Sequence, residues 1–208
     1  MIDGINLPLI MLAALVAVMS PGPATLGIAG TSMASGRKMG LALASGITTG
    51  SLMWSTAAAL GLGAIMQANV WLFEIVRYGG AAYLLYLAYK SARSAISPST
   101  AKLAGLDVKT VRGAYARGLA LHLTNPKAVL FFGSLFAIGV PPDAPLSALA
   151  IVIAAIAIQS AVMFHLYAVI FSSRPVANFY LRAKRWMDGV FALAFGAVGL
   201  RILTAKLA

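Results

Sequence analysis

Residues 18–27 read VMSPGPATLG, and within them Pro21 and Pro23 bracket Gly22 in the middle of an apolar run extending from about residue 6 to residue 34. A proline inside a helix deletes one backbone hydrogen bond and clashes with the preceding turn. In hydrocarbon no water replaces the lost partner, so irregular backbone persists only where protein buries it or where it lines a water-filled cavity. The fold turns on whether this run spans a membrane, and the function on what its break faces.

Composition decides the first point. Of 208 residues, 61% are hydrophobic and 10% charged, with a mean hydropathy of +0.89, too apolar for a soluble core inside a polar shell. The pattern predicts an all-α polytopic membrane protein with six transmembrane helices near residues 6–34, 40–66, 70–92, 113–139, 145–171 and 185–205. Each is long enough to cross roughly 30 Å of hydrocarbon. The leader MIDGINL is acidic rather than basic and no small-residue cleavage site follows it, so the first run reads as a retained span. The net charge of +11 gathers in particular loops and reports topology, and nucleic-acid binding is not expected. The chain has no cysteine, which excludes disulfides, thiolate metal sites and thiol-relay oxidoreductases. No nucleophile–base pair, phosphate loop or carboxylate pair is visible, so neither enzymatic activity nor a cofactor is expected.

The basic residues then orient the spans. Arg37 and Lys38 follow the first span, Lys90, Arg93, Lys102, Lys109, Arg112 and Arg117 surround the longest connection, and Arg174, Arg182, Lys184 and Arg185 lie between the last two. The alternate loops, around residues 66–70 and 140–145, hold no Lys or Arg, and the second carries Asp143. The positive-inside rule therefore puts both termini outside the cytoplasm, with Arg201 and Lys206 in mild opposition. Three spans per half predict inverted-topology repeats, residues 1–94 and 113–208, joined by a cytoplasmic linker at 95–112 within one transmembrane domain. SPGPATL (20–26) set over TNPKAVL (124–130) pairs Ser20 with Thr124, Ala24 with Ala128 and Leu26 with Leu130. The segments starting at Gly80 and Gly189 also match in Leu84 and Leu193.

The first and fourth helices are thus both predicted to be broken. Ser20-Pro21, Gly22-Pro23 and Asn125-Pro126 each read as a capping residue followed by a first-turn proline, so a half-helix with unpaired, donor-rich amides is expected at each break. A single such proline reads as a packing kink; two at matched positions near the midplane read as a shared substrate site suited to a carboxylate. Lys127 adjoins the second break, and Asp3, Glu74, Asp107, Asp143 and Asp188 all map to span ends or loops. A substrate carboxylate is then its counter-ion, with a snorkelling side chain as the alternative. Gly46 and Gly50 share one face of the second span and suit close helix packing or a pore wall. Gln159 is an amide deep in the fifth span, serving a cavity wall or an interhelical bond. His122 and His165 read as ordinary hydrogen-bonded side chains and are too few for a metal site, and Tyr78, Tyr83, Tyr86 and Tyr89 as packing and interface anchors. Glu74 and Arg77 read as a structural or gating pair.

Those residues also carry a resemblance. SPGP followed by SGRKMGLALASGITTG, then FEIVRYGGAAYLLYLAYKSAR (73–93) and LTNPKAVLFF (123–132), in this order and spacing, resemble the lysine-exporter (LysE) superfamily and in particular its threonine and homoserine exporter branch. The resemblance implies a six-span inner-membrane exporter of a small amino acid, working by proton exchange and often dimeric, with its signature breaks at Ser20, Pro21, Gly22 and Pro23 and at Asn125, Pro126 and Lys127. A metal-ion exporter of the same superfamily is the alternative. Some members have an aspartate where this chain has Gln159 and a glycine where it has Ala88, so the proton carrier is not evident from the resemblance.

Overall fold

The computed structural model describes residues 4–68, 70–97, 108–141 and 144–204. Among these lie eight helices: α1 (Leu7–Met19), α2 (Pro23–Ser35), α3 (Arg37–Ala68), α4 (Val70–Ile96), α5 (Val111–Leu123), α6 (Pro126–Gly139), α7 (Leu146–Ile170) and α8 (Arg174–Thr204). The expected all-α fold is present, and the two proline segments divide α1 from α2 and α5 from α6. Most of the linker at 95–112 lies outside the described residues, as do Asp3, Asp107, Asp143 and the side chains of Glu74 and Arg77.

Helix ends follow local chemistry. Asn6 caps α1 by accepting from the Leu9 amide at 3.2 Å, and Thr110 caps α5 by accepting from Gly113 at 3.0 Å. Gly36 ends α2 at φ 86°, where a side chain would be strained. The last helix starts at Arg174, well before the expected residue 185. Its first turns carry Arg182, Lys184 and Arg185, which depress hydropathy, yet Tyr180 is buried there with its ring 4.8 Å from that of Phe171. Hydropathy alone misses such an amphipathic extension.

The outside of the bundle is apolar. Ile158, Val162, Leu166, Phe179, Trp186 and Leu193 are all exposed, while Thr31, Ser51, Ser55, Asn125, Ser160 and Asp188 are buried. That inversion suits a hydrocarbon solvent. By length and hydropathy together, α7 qualifies alone as a membrane span, and α1 with α2 qualifies as one span bent by 50°.

Two packed cores meet at the broken helices. The first joins α1 and α6 to α4, α7 and α8 through Ile10, Phe131, Phe136, Ile156 and Phe195. The second joins α2 and α5 to α3 and α7 through Ile28, Leu43, Ile47 and Phe164. Each break is therefore a handover from one core to the other, and backbone left irregular there faces the space between them.

Candidate functional site

At the first break the chain ends one helix before it starts the next. Ser20 is the C-cap of α1, its amide donating to Val16 O at 3.0 Å. The α2 helix begins three residues later at Pro23, with Gly22 as an N-cap that supplies no side chain. Ser20-Pro21 is thus a helix end, not the start expected from its composition; only Gly22-Pro23 opens a helix. Because glycine provides no oxygen, the first amides of α2, at Ala24 and Thr25, have no side-chain cap. The two half-helices are tied by Thr25, whose hydroxyl donates to Val18 O at 3.4 Å.

The second break is closed differently. Asn125 Oδ1 accepts from the Lys127 amide at 3.0 Å, and its carbonyl accepts from Ala128 at 2.9 Å and Val129 at 3.2 Å. The sequence predicted two donor-rich ends, but a polar cap satisfies the α6 end and only the α2 end stays open. Asn125→Ala is expected to cost about 1 kcal/mol and to lower the detergent melting temperature by about 2–4 °C. Asn125→Asp, which keeps an accepting oxygen, should melt like the parent.

Lys127 joins the breaks. Its ammonium donates to Ala17 O and Ser20 O, each at 3.3 Å, and lies 5.9 Å from the centre of the Phe195 ring. These carbonyls belong to the negative, C-terminal end of α1, so the lysine's counter-charge here is a helix end. A Cβ at Gly22 would stand 3.5 Å from Nζ, an ordinary van der Waals contact, so the approach of the lysine does not depend on glycine there.

Two cavities flank the junction and share Ser20, Gly22, Asn125 and Lys127 as a common wall. The inner one, about 60 Å³, is lined by Ala24 and Thr25 of the open α2 end, by Ser51, His122 and Ser160, and by Phe131, Phe132, Phe164 and Ile156. The outer one, about 640 Å³, also holds Pro21, Pro23, Pro126, Tyr83, Tyr86, Lys90, Lys184 and Asp188. A substrate passing between the cavities must pass the broken helix ends and Lys127.

The LysE type translocator family model matches residues 15–206. The chain belongs to the LysE family. It is similar to the threonine efflux protein of Salmonella typhi, at 29% identity over 92% of this chain and 94% of that one. The threonine efflux protein of Escherichia coli (strain K12) is 28% identical over the same shares, and the leucine efflux protein of Enterobacter sp. (strain 638) is 32% identical over 89% of each chain. No solved structure gives a significant match.

In this LysE-family chain all seven expected break residues line one or both cavities. Gly46 and Gly50 stand on the α3 face packed against α5, where added Cβ atoms would meet the Tyr115 carbonyl and the His122 side chain. Gln159 lies apart from the junction: its Nε2 donates to Met11 O at 3.1 Å, and it lines a groove with Leu12, Leu15 and Val162. His165 is hydrogen-bonded as expected, to Ser45 Oγ at 3.0 Å and Ala161 O at 2.7 Å. His122 is not: it is buried in the cavity wall, edge-on to Phe132 and Phe164, and neither ring nitrogen has a hydrogen-bond partner. Such an orphan aimed into a cavity is what a polar ligand would satisfy.

Sequence reasoning placed Asp188 near a span end and gave it no partners; it is 4% exposed and bonded to Ser94 and Lys184 in the outer cavity. The only signal was its i, i+4 spacing from Lys184, which is common on exposed helix faces and points to no depth.

Proposed function

We propose that the protein is a multi-pass secondary transporter of the bacterial inner membrane that exports a small amino acid in exchange for protons, by alternating access. The observation that carries this reading is the Lys127 ammonium resting on the carbonyl end of α1 beside the open amide end of α2. A broken helix offers acceptors on one side and donors on the other. An α-amino acid carries a matching ammonium and carboxylate one carbon apart. Its ammonium takes the Ala17 and Ser20 carbonyls, and its carboxylate takes the Ala24 and Thr25 amides together with the displaced Lys127. No charge is left bare during the exchange, which matters because an unpaired buried charge costs several kcal/mol. The side chain extends toward Ser51, Ser160 and His122, where about 60 Å³ favours small substituents. The threonine and leucine efflux relatives support an amino-acid substrate.

The proposed architecture is six spans in two inverted repeats, 1–94 and 113–208, with both termini outside the cytoplasm and homodimers in the membrane. Helix boundaries support the repeat. The shift that carries Leu7 onto Val111 also carries Met19 onto Leu123 and Ser35 onto Gly139. Exchanging the halves turns the α3–α5 contact into α7–α1, α3–α6 into α7–α2, and α1–α6 into α5–α2, and all of these contacts occur.

Counterflow in proteoliposomes tests the function. Unlabelled amino acid inside should drive accumulation of the same labelled amino acid, for a small subset of the twenty. Absence of exchange with all twenty would refute the reading.

A further inference from the structure

His122 sits where packing alone favours an apolar side chain. It is 5% exposed, its ring stands edge-on to Phe132 and Phe164 at centroid distances of 6.5 and 6.0 Å, and neither ring nitrogen has a hydrogen-bond partner. A neutral imidazole carries one donor and one acceptor. Burying both unpaired is unfavourable, and phenylalanine would fill a similar space without that cost. His165 shows the ordinary alternative, with both nitrogens engaged by Ser45 and Ala161. His122 instead lines the inner cavity.

We infer that His122 is the specificity-determining residue of the carrier: its ring nitrogens read a hydrogen-bonding group on the substrate side chain, so the cavity separates polar from aliphatic side chains of equal size. This inference rests on the export reading and adds the discriminating residue to it. The substrate's ammonium and carboxylate lie at the broken ends, which wall the cavity through Ser20, Gly22, Ala24 and Thr25. Its side chain occupies the remainder. There Ser51 and Ser160 share a hydrogen bond at 3.0 Å, which uses one of their two hydroxyl protons and leaves the other to a ligand. His122 and this serine pair are the polar groups that α5, α3 and α7 bring to the cavity; the lining from α7 is otherwise Ile156 and Phe164.

A hydroxyl both donates and accepts, so one such group meets a ring nitrogen and the spare serine proton together. An aliphatic side chain of the same shape fits the space but excludes water from it and leaves both nitrogens bare. A cationic side chain finds no counter-ion, because none of the described residues lining the cavity is acidic. Two isosteres fill the same volume, so a preference between them reports hydrogen bonding and not size.

The test is counterflow by reconstituted full-length protein with two isosteric pairs, L-threonine against L-valine and L-serine against L-2-aminobutyrate, at equal subsaturating concentrations. The native protein should exchange the hydroxyl member of each pair at least tenfold faster, which corresponds to about 1.4 kcal/mol, the size of one hydrogen bond. A smaller preference in either pair overturns the inference, as does exchange confined to other side chains such as that of L-leucine. His122→Phe should bring both ratios to about one by slowing the hydroxyl members, and His122→Asn, which keeps a donor and an acceptor, should retain the preference. A merely structural role would slow both members of a pair equally, so equal losses or native ratios in His122→Phe overturn the inference. If His122→Phe does not fold, Gly50→Ala, whose new Cβ meets the same side chain, takes its place, and native ratios there overturn it. Absence of native counterflow with all twenty amino acids would instead refute the export reading, and this inference with it.

Discussion

Lys127→Ala is expected to reduce amino-acid counterflow by roughly 10- to 100-fold while the protein still folds and inserts. A hydrogen bond to a charged group contributes about 1.5–3 kcal/mol, and each 1.4 kcal/mol is about tenfold in binding. The lysine bonds across from the second broken helix to the end of the first, so truncation removes the ammonium that is proposed to meet the substrate carboxylate. The fold tolerates this because the freed Ala17 and Ser20 carbonyls border a cavity of about 640 Å³ that admits water to them. Lys90→Ala is the control: it shares that cavity and carries the same charge without bonding to the break, so counterflow should change less than threefold. A Lys127→Ala protein that exchanges at the native rate would remove the proposed site, whatever its effect on stability.

What the sequence made legible was the backbone, and what it hid was partnership. Proline grammar located both breaks to within a residue or two, because a missing amide and a fixed φ are properties of the residue itself. It did not distinguish their electrostatics. Gly22 and Asn125 both precede a first-turn proline, but only asparagine has an oxygen to fold back on its own helix, so one end is open and the other shut. The resting acceptors of Lys127 were hidden for a related reason: they are backbone carbonyls more than a hundred positions away, which no side-chain inventory contains. Asp188 escaped because its depth depends on where α8 begins and on Ser94 crossing from another helix. His122 looked ordinary since local pattern cannot say that it will pack edge-on to Phe132 and Phe164 with no hydrogen-bond partner at either ring nitrogen.

Gly118→Val should be the most destabilising single change in the bundle outside the site, with Gly46→Val close behind. The α3 and α5 helices touch through these glycines: a Cβ at Gly118 would overlap the Leu43 carbonyl, and one at Gly46 the Tyr115 carbonyl. Backbone atoms have no rotamer to escape into, so the helices must separate, withdrawing Leu43, Ile47 and Ala114 from a core in which all three are fully buried. Overpacking of this kind costs about 1–3 kcal/mol and more when backbone must move. Thermal unfolding in detergent should show a loss of about 2–12 °C, at 2–4 °C per kcal/mol. The double variant should lose less than the sum, because the first substitution already opens the contact the second would strain. Gly61→Ala, with nothing within 4 Å of the new Cβ, should be neutral or slightly stabilising through helix propensity. Gly50 lies on the same face, where its Cβ would stand 2.9 Å from His122 Cβ, an atom that no rotamer change moves, so Gly50→Ala should lower the melting temperature, though by less than the backbone overlaps at Gly118 and Gly46, and should shift the imidazole in the cavity wall and alter substrate preference. Equal melting losses at Gly50, Gly61 and Gly118 would mean that the α3–α5 seam does not hold the two cores in register.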